Sequence, residues 1–257
     1  MRGTTLLLAG STGIAAATAR LAVAAGARLV IASAESDSAW ELAAETGAEC
    51  WIGDLVRPEA AESVVALAVQ KFGRLDAVFN AAGLSGRRFG DGPVHEATDS
   101  GWELTLSHNL TVVFHMCRAA AGQMLQQDPD PRGLRGSILN MGSVLAESPE
   151  PRFFAMHAYA AAKGAVTALS RSMASYYAPH GIRVNVIAPG MVRTPASARA
   201  GEDPALSAIV QKKQPLISDM VDAQEVARAA LFLLGPEARP ITGEVLAVDA
   251  GWTVTSS

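Results

Sequence analysis

Leu6-Leu7-Leu8-Ala9-Gly10-Ser11-Thr12-Gly13-Ile14-Ala15 reads as a buried strand, a turn of small residues and the start of a helix. A turn of this kind lets backbone N–H groups approach an anionic ligand at the positive end of the helix. The glycine spacing departs from Gly-x-Gly-x-x-Gly. Taken alone, the stretch therefore fits either a phosphate cradle or a tight strand-to-helix turn with no ligand. Outward from it, strand-like runs recur at Thr5–Ala9, Arg28–Ala32, Glu49–Ile52, Leu75–Asn80, Ser137–Met141, Arg183–Ile187 and Glu244–Val248. They are continuous Leu/Val/Ile stretches, the pattern of parallel strands covered on both faces. Helical segments lie between them, at Ile14–Ala25, Ser38–Thr46, Pro58–Phe72, Trp102–Gln126, Ala158–Ala178 and Ala223–Leu234. Pro58 suits a helix start, and Gly26, Gly47 and Gly73 suit helix stops. The alternation predicts an α/β fold: a doubly wound, seven-stranded, mainly parallel Rossmann-type sheet with helices on both faces.

The chain has 257 residues, of which 49 are alanine, with 18% charged residues and a net charge of −4. This composition excludes long disorder and gives no basic footprint for nucleic acid. No apolar run reaches the roughly 18 residues that cross a bilayer. The run at Leu6–Leu8 stops at Gly10-Ser11-Thr12-Gly13, short of a signal-peptide core, so a cytoplasmic location is expected. Cys50 and Cys117 are too few and too far apart for a disulfide framework or a zinc site, and they read as small buried hydrophobes. With no linker, repeat or low-complexity tract, residues 1–257 are expected to form a single dinucleotide-binding and catalytic domain. The longest irregular stretches, Leu84–Thr98, Ala146–Met156 and Thr194–Met220, all follow strand carboxyl ends, where open α/β sheets bind ligands.

Several residues at those ends have chemistry to offer. Asp54, followed by Leu55, follows the third strand and can accept from an adenine amino group. After the fourth come Asn80, Ala81, Ala82 and Gly83; Asn80 can lock neighbouring strands and Gly83 leaves space beside a cofactor. Asn140-Met141-Gly142-Ser143 presents a hydroxyl at the end of the fifth strand. Tyr159-Ala160-Ala161-Ala162-Lys163 then places a phenol and an ammonium on one helix face. A free tyrosine titrates near 10, so a neighbouring ammonium would be needed to make it a base at neutral pH. Ser143 is suited to donate to a substrate oxygen.

Together these residues carry a family resemblance. The chain resembles the short-chain dehydrogenases/reductases over essentially its whole length. The likeness rests on Asp54, Asn80-Ala81-Ala82-Gly83, Asn109, Ser143, Tyr159-x-x-x-Lys163, Pro189-Gly190-Met191-Val192-x-Thr194 and Val248-Asp249-x-Gly251. The resemblance implies an NAD(P)-dependent oxidoreductase interconverting a secondary alcohol and a ketone or 3-oxoacyl group, with no metal. It implies Tyr159 as the acid/base, and Lys163 lowering the tyrosine's pKa and holding the nicotinamide ribose. Ser143 would orient the substrate oxygen and Asn109 would support a water relay. Gly10, Ser11, Thr12, Gly13, Ile14, Ser33, Pro189, Gly190, Val192 and Thr194 would line the cofactor site. A homotetramer or homodimer is implied too, with the helices at Trp102–Gln126 and Ala158–Ala178 and the last strand at its interfaces.

Three features depart from or elaborate the family pattern. Against the usual Thr-Gly-x-x-x-Gly-x-Gly, an ungapped alignment on Gly13 makes the first glycine Ala9, and an alignment on Gly10 leaves the loop one residue short; either way the last glycine is Ala15, and weakened or altered cofactor binding is the expectation. Ser33 stands where NAD-preferring relatives carry aspartate, and no arginine or lysine follows to meet a 2′-phosphate. Glu35 and Asp37 would repel that phosphate, so NAD(H) is preferred over NADP(H). Finally, Phe153 and Phe154 precede Tyr159 and suggest either an apolar or ring-bearing substrate, or a core-edge or oligomer contact. Arg87 and Arg88 read as a receiver for an anionic substrate or as a solvated loop pair, and His157 as loop or wall rather than catalyst. The competing reading is a non-catalytic or weakly active dinucleotide-binding sensor or scaffold of the same fold. A serine hydrolase is excluded, because Met141-Gly142-Ser143-Val144-Leu145 lacks the final glycine of the nucleophile elbow.

Overall fold

The structure is a computed structural model that describes residues 1–198 and 203–255. Seven strands form one sheet: β1 (Thr5–Ala9), β2 (Arg28–Ser33), β3 (Glu49–Ile52), β4 (Ala77–Asn80), β5 (Gly136–Met141), β6 (Ile182–Pro189) and β9 (Val245–Val248). Two further strands, β7 (Val192–Arg193) and β8 (Val221–Asp222), pair with each other alone. The sheet order is β3-β2-β1-β4-β5-β6-β9 and every pairing is parallel. The expected "mainly parallel" sheet is thus wholly parallel. Because parallel strands need crossovers, both faces are covered, and two apolar clusters result. One packs α3 (Pro58–Phe72) and α5 (Val112–Gln126) on Leu7, Val30 and Val78. The other packs α1 (Gly13–Ala24), α2 (Ser36–Thr46) and α8 (Ala223–Leu234) on Leu6, Leu29 and Phe79.

Helix α3 starts at Pro58 and ends at Gly73, whose φ of +80° closes the last turn in the left-handed region. Helix α8 is opened by Asp222 and Glu225 in a reciprocal capping box. The helix expected over Trp102–Gln126 begins earlier and is interrupted. It runs as α4 (Asp99–Leu106), a π-turn over Ser107–Thr111, and α5. The stretch expected to be irregular over Thr194–Met220 contains α7 (Pro204–Lys213), capped by Asp203. Helix α6 (His157–Tyr177) completes the set.

One buried charge holds the far side of the fold together. Arg183 on β6 is 4% exposed. Its guanidinium donates to the carbonyls of Leu233, Leu234, Gly235 and Ile241. It thereby satisfies the carbonyl groups left open where α8 ends. Arg183→Met keeps most of the volume and orphans those carbonyls. We expect it to lower unfolding stability by about 3 kcal/mol, read by denaturant melts; a loss under about 1 kcal/mol would mean water replaces the guanidinium.

Candidate active site

At the carboxyl edge of the sheet a cavity of about 730 Å³ opens between the turn before α1 and the first turns of α6. Its lining brings together Thr12, Gly13, Ile14, Ala15, Ala81, Gly83, Asn109, Ser143, Tyr159, Lys163, Pro189, Gly190, Val192 and Thr194. These positions come from six separate stretches of sequence. Their convergence is the central geometric finding.

Lys163 is 2% exposed, and its ammonium donates to the Met141 carbonyl at 2.9 Å. Burial lowers its pKa to about 8. The ammonium lies 5.6 Å from the centroid of the Tyr159 ring. Tyr159 behaves differently from the sequence expectation. Burial pushes its phenol above the ordinary value, and the Ser143 hydroxyl pulls it back down. Ser143 Oγ accepts the Leu145 N–H at 3.2 Å, and its own hydrogen is the one that meets the Tyr159 phenol. Asn109 sits fully buried on the π-turn. Its amide donates to the carbonyls of Leu84 and Thr105, both at 2.9 Å, and its oxygen accepts from Leu84 N–H at 3.3 Å. A π-turn re-aims one residue of a helix and recurs at functional positions. Here it delivers Asn109 beside Gly83, where an added Cβ would lie 2.7 Å from Asn109 Oδ1 and 3.6 Å from Lys163 Nζ.

The residues fit a dinucleotide. Thr12, at the N-cap of α1, makes no side-chain cap, so the first N–H groups of that helix remain open to an anion. Gly10 and Gly13 hold φ of +117° and +53°, conformations suited to glycine. A Cβ on Gly10 would meet Ala15 Cβ at 3.2 Å and Ala82 N at 3.4 Å.

Other expected cofactor residues do not line this cavity. Ser33 is buried and shares a hydrogen bond with Ser11 at 2.9 Å, and Ser11 shares another with Ser38 at 2.7 Å. Ser38 in turn donates to the Glu35 carboxylate at 3.3 Å. Asp54 is exposed and accepts the Val56 N–H at 3.0 Å, while Leu55 is in the core. Asn80 is 1% exposed and turned inward. It donates to Asn140, and Asn140 donates to Ser170 of α6, both at 2.8 Å. Its role here is the strand lock.

Several site residues were not singled out by the sequence. Gln214 at the end of α7 is fully buried and donates to the carbonyls of Met191 and Asp219, fixing the Pro189–Thr194 segment. Trp252 is buried, donates to the Ser148 carbonyl at 3.1 Å and packs edge-on against Phe154. Phe153, Phe154, Leu145, Met156 and Leu206 line the same wall. Arg87 and Arg88 reach the cavity as exposed residues, Arg87 donating to the Phe153 carbonyl. His157, the first residue of α6, is exposed and accepts the Val94 N–H through Nδ1, which ties the Leu84–Thr98 loop to that helix.

Residues 8–253 match the family described as enoyl-(acyl carrier protein) reductase. The chain is similar to the inactive 2-(S)-hydroxypropyl-CoM dehydrogenase 2 of Xanthobacter autotrophicus, at 38% identity over 91% of this chain and 99% of that protein. It is similar to the 2,5-dichloro-2,5-cyclohexadiene-1,4-diol dehydrogenase of Sphingobium indicum at 33% identity, over 97% and 96% of the two chains. Among solved structures, a short-chain type dehydrogenase/reductase from Mycobacterium ulcerans superposes with a TM-score of 0.89 at 28% identity, covering 100% of this chain and 92% of the other. The chain belongs to the short-chain dehydrogenase/reductase family. It is an NAD(P)-dependent oxidoreductase acting on CH–OH groups, and the sensor or scaffold alternative is not favoured.

The depressed Lys163 has a consequence for stability. Between pH 8 and about 10.5 the folded chain loses this proton before the unfolded chain does, so the unfolded state binds more protons and stability rises with pH. Lys163→Met removes the cost of burying the ammonium. We expect the variant to gain roughly 3 kcal/mol over the wild type at pH 7 and no comparable amount at pH 11. An equal difference at both pH values would show that the ammonium is not destabilising.

Proposed function

We propose that this chain, read as one domain over residues 1–257, interconverts an apolar or ring-bearing secondary alcohol and its ketone, with NAD(H) preferred over NADP(H). The observation that carries the reading is the shared cavity: Ser143, Tyr159, Lys163 and Asn109 border the same space as the glycine turn before α1. A bound nicotinamide dinucleotide supplies or takes the hydride. In the reductive direction the Tyr159 phenol, kept protonated by burial, gives its proton to the substrate oxygen. Ser143 turns its O–H from the phenol to that oxygen, where negative charge grows. Lys163 spends one of its three hydrogens on the Met141 carbonyl. The other two are available to cofactor ribose hydroxyls, and its charge favours the phenolate left by proton transfer. Asn109, through the π-turn, supports a water path toward Lys163.

The substrate class is supported by the wall of Phe153, Phe154, Leu145 and Trp252. Preference for NAD(H) is supported by Glu35, held by Ser38 beside the Ser11–Ser33 pair. A 2′-phosphate would meet that carboxylate with its charge unmatched.

The test is a fluorescence titration with NADH and NADPH beside an alcohol and ketone screen, on the wild type and Tyr159→Phe. We expect micromolar NADH binding by both proteins, at least tenfold weaker NADPH binding, and turnover reduced at least a thousandfold in the variant. Unchanged kinetics in Tyr159→Phe would overturn the assignment.

A homotetramer or homodimer in the cytoplasm completes the reading. Exposed Trp102 on α4, Phe114 on α5 and Tyr176 on α6 support the oligomer, and the free thiols of Cys50 and Cys117 accord with a reducing compartment. Sedimentation should give a dimer or tetramer; a monomer alone would reject that part.

A further inference from the structure

Tyr159 is the third residue of α6, in the turn whose N–H groups have no acceptor within the helix. Met156, at the N-cap, supplies none from its side chain. The acceptors come from Asp91, far back in the loop between β4 and α4. Its Oδ1 accepts the Ala158 N–H and its Oδ2 accepts the N–H of Tyr159 itself, both at 3.0 Å. Both oxygens act as acceptors, the pattern of an ionised carboxylate. Asp91 is 5% exposed and forms no salt bridge among the described residues. Its charge is therefore balanced by the positive end of α6.

The contact is built on both sides. Gly92 O accepts the His157 N–H at 3.2 Å, and His157 Nδ1 accepts the Val94 N–H at 3.0 Å. Behind it, Asp91 N–H donates to Gly86 O at 3.1 Å, and a Cβ on Gly86 would come within 2.7 Å of Asp91 Cβ. The same short turn, Gly86–Phe89, carries Arg87 and Arg88 to the cavity. A serine at position 156 would cap a helix at lower cost than a buried carboxylate brought from another loop. The extra cost is met at the backbone of the reacting tyrosine.

We propose that Asp91 is the positioning residue of Tyr159: it clamps the first turn of α6 to the Leu84–Thr98 loop, and so sets both where the phenol stands and how readily it releases its proton. This rests on the oxidoreductase reading for its use in catalysis. The titratable and charged groups on the elements that meet at the cavity and the first turn of α6 are Lys163 one turn along the helix, Asp91 and the rim pair Arg87 and Arg88 from the loop, His157 on the first turn, and Asp203 in the cavity lining. Ser143 adds a neutral hydroxyl from the end of β5. A fixed carboxylate held on the backbone N–H of Tyr159 opposes a phenolate on the same residue. Its neutral replacement leaves the helix N-terminus uncompensated and eases proton loss.

The chain has only three tyrosines, so ζ-carbon-13 tyrosine labelling reads Tyr159 directly, with Tyr159→Phe giving the assignment. In Asp91→Asn, nearly the same shape without the charge, we expect the Tyr159 midpoint to fall by about half a pH unit. Amide exchange at Ala158 and Tyr159 should speed up at least tenfold, and the NADH dissociation constant should stay within twofold. Asp91→Glu restores the charge and should return the midpoint most of the way. A midpoint and exchange rates equal to wild type, with only the melting temperature lowered, would make Asp91 a structural cap and overturn the proposal. NADH affinity lost in parallel would overturn it too, as general damage to the site. None of these readouts needs turnover, so a chain inactive on every alcohol would reject the proposed function while this test still gave its answer.

Discussion

The level at which the parallel strands end governs the rest of this molecule. Ala9 of β1 stands opposite Ala32 and Asn80, and Asn80 stands opposite Asn140. Four strands thus end within one residue of a common line. From β1 the chain crosses over to β2 and β3 on one side, and from β4 to β5 and β6 on the other. The two directions part between β1 and β4, where a doubly wound sheet opens its crevice. The bonds from Asn80 to Asn140 and from Asn140 to Ser170 tie this edge to α6, the helix that carries Tyr159 and Lys163. One residue beyond Asn140, the Met141 carbonyl receives the Lys163 ammonium. A slip of one residue in β5 would reverse every side chain on it, and the asparagine tie and the lysine's acceptor would be lost together.

Two buried cations show how structural and chemical roles differ at equal burial. Arg183 is surrounded by four carbonyl acceptors at the end of α8, so its charge is spent on holding β6 to that helix. Lys163 has a single carbonyl acceptor and a depressed pKa of about 8. A buried ammonium with donors to spare is costly, and the cost persists where the cavity can use the charge. Burial lowers the pKa of both, Arg183 to about 10, but Arg183 meets four carbonyls with only its Nε unpartnered among the described residues, whereas Lys163 meets one and faces the cavity.

What could be read along the chain was what short-range physics determines. Pro58–Phe72 and Ala223–Leu234 have the expected ends, because proline, a left-handed glycine and a capping box are local signals. The four-residue step from Tyr159 to Lys163 placed both on one cavity for the same reason. The π-turn at Ser107–Thr111 left no trace, since one extra residue in a turn hardly disturbs an apolar periodicity read over a whole helix. Helix α7 is short and weakly amphipathic, and β7 and β8 are two residues each, below any strand period. The site residues that sequence passed over are joined by contacts distant along the chain: Asp91 to Ala158, Gln214 to Met191 and Trp252 to Ser148. No local pattern encodes a carboxylate whose partner lies 67 positions away.

The altered glycine turn can be understood in the same terms. Against the family pattern, aligned on Gly10, the turn is one residue short and its final glycine is Ala15. Yet the Ala15 methyl is buried in the apolar cluster with Leu8 and Leu29. Its closest approach to the turn falls where Gly10 has no side chain, since a Cβ there would lie 3.2 Å from it. A side chain at Gly10 would therefore crowd Ala15, and the φ of +117° there suits glycine; at Gly13 a Cβ would press on Thr194 at 2.8 Å. The shortened turn thus keeps open backbone N–H groups and a close approach, the two properties a pyrophosphate cradle requires. It meets them with a different distribution of glycines.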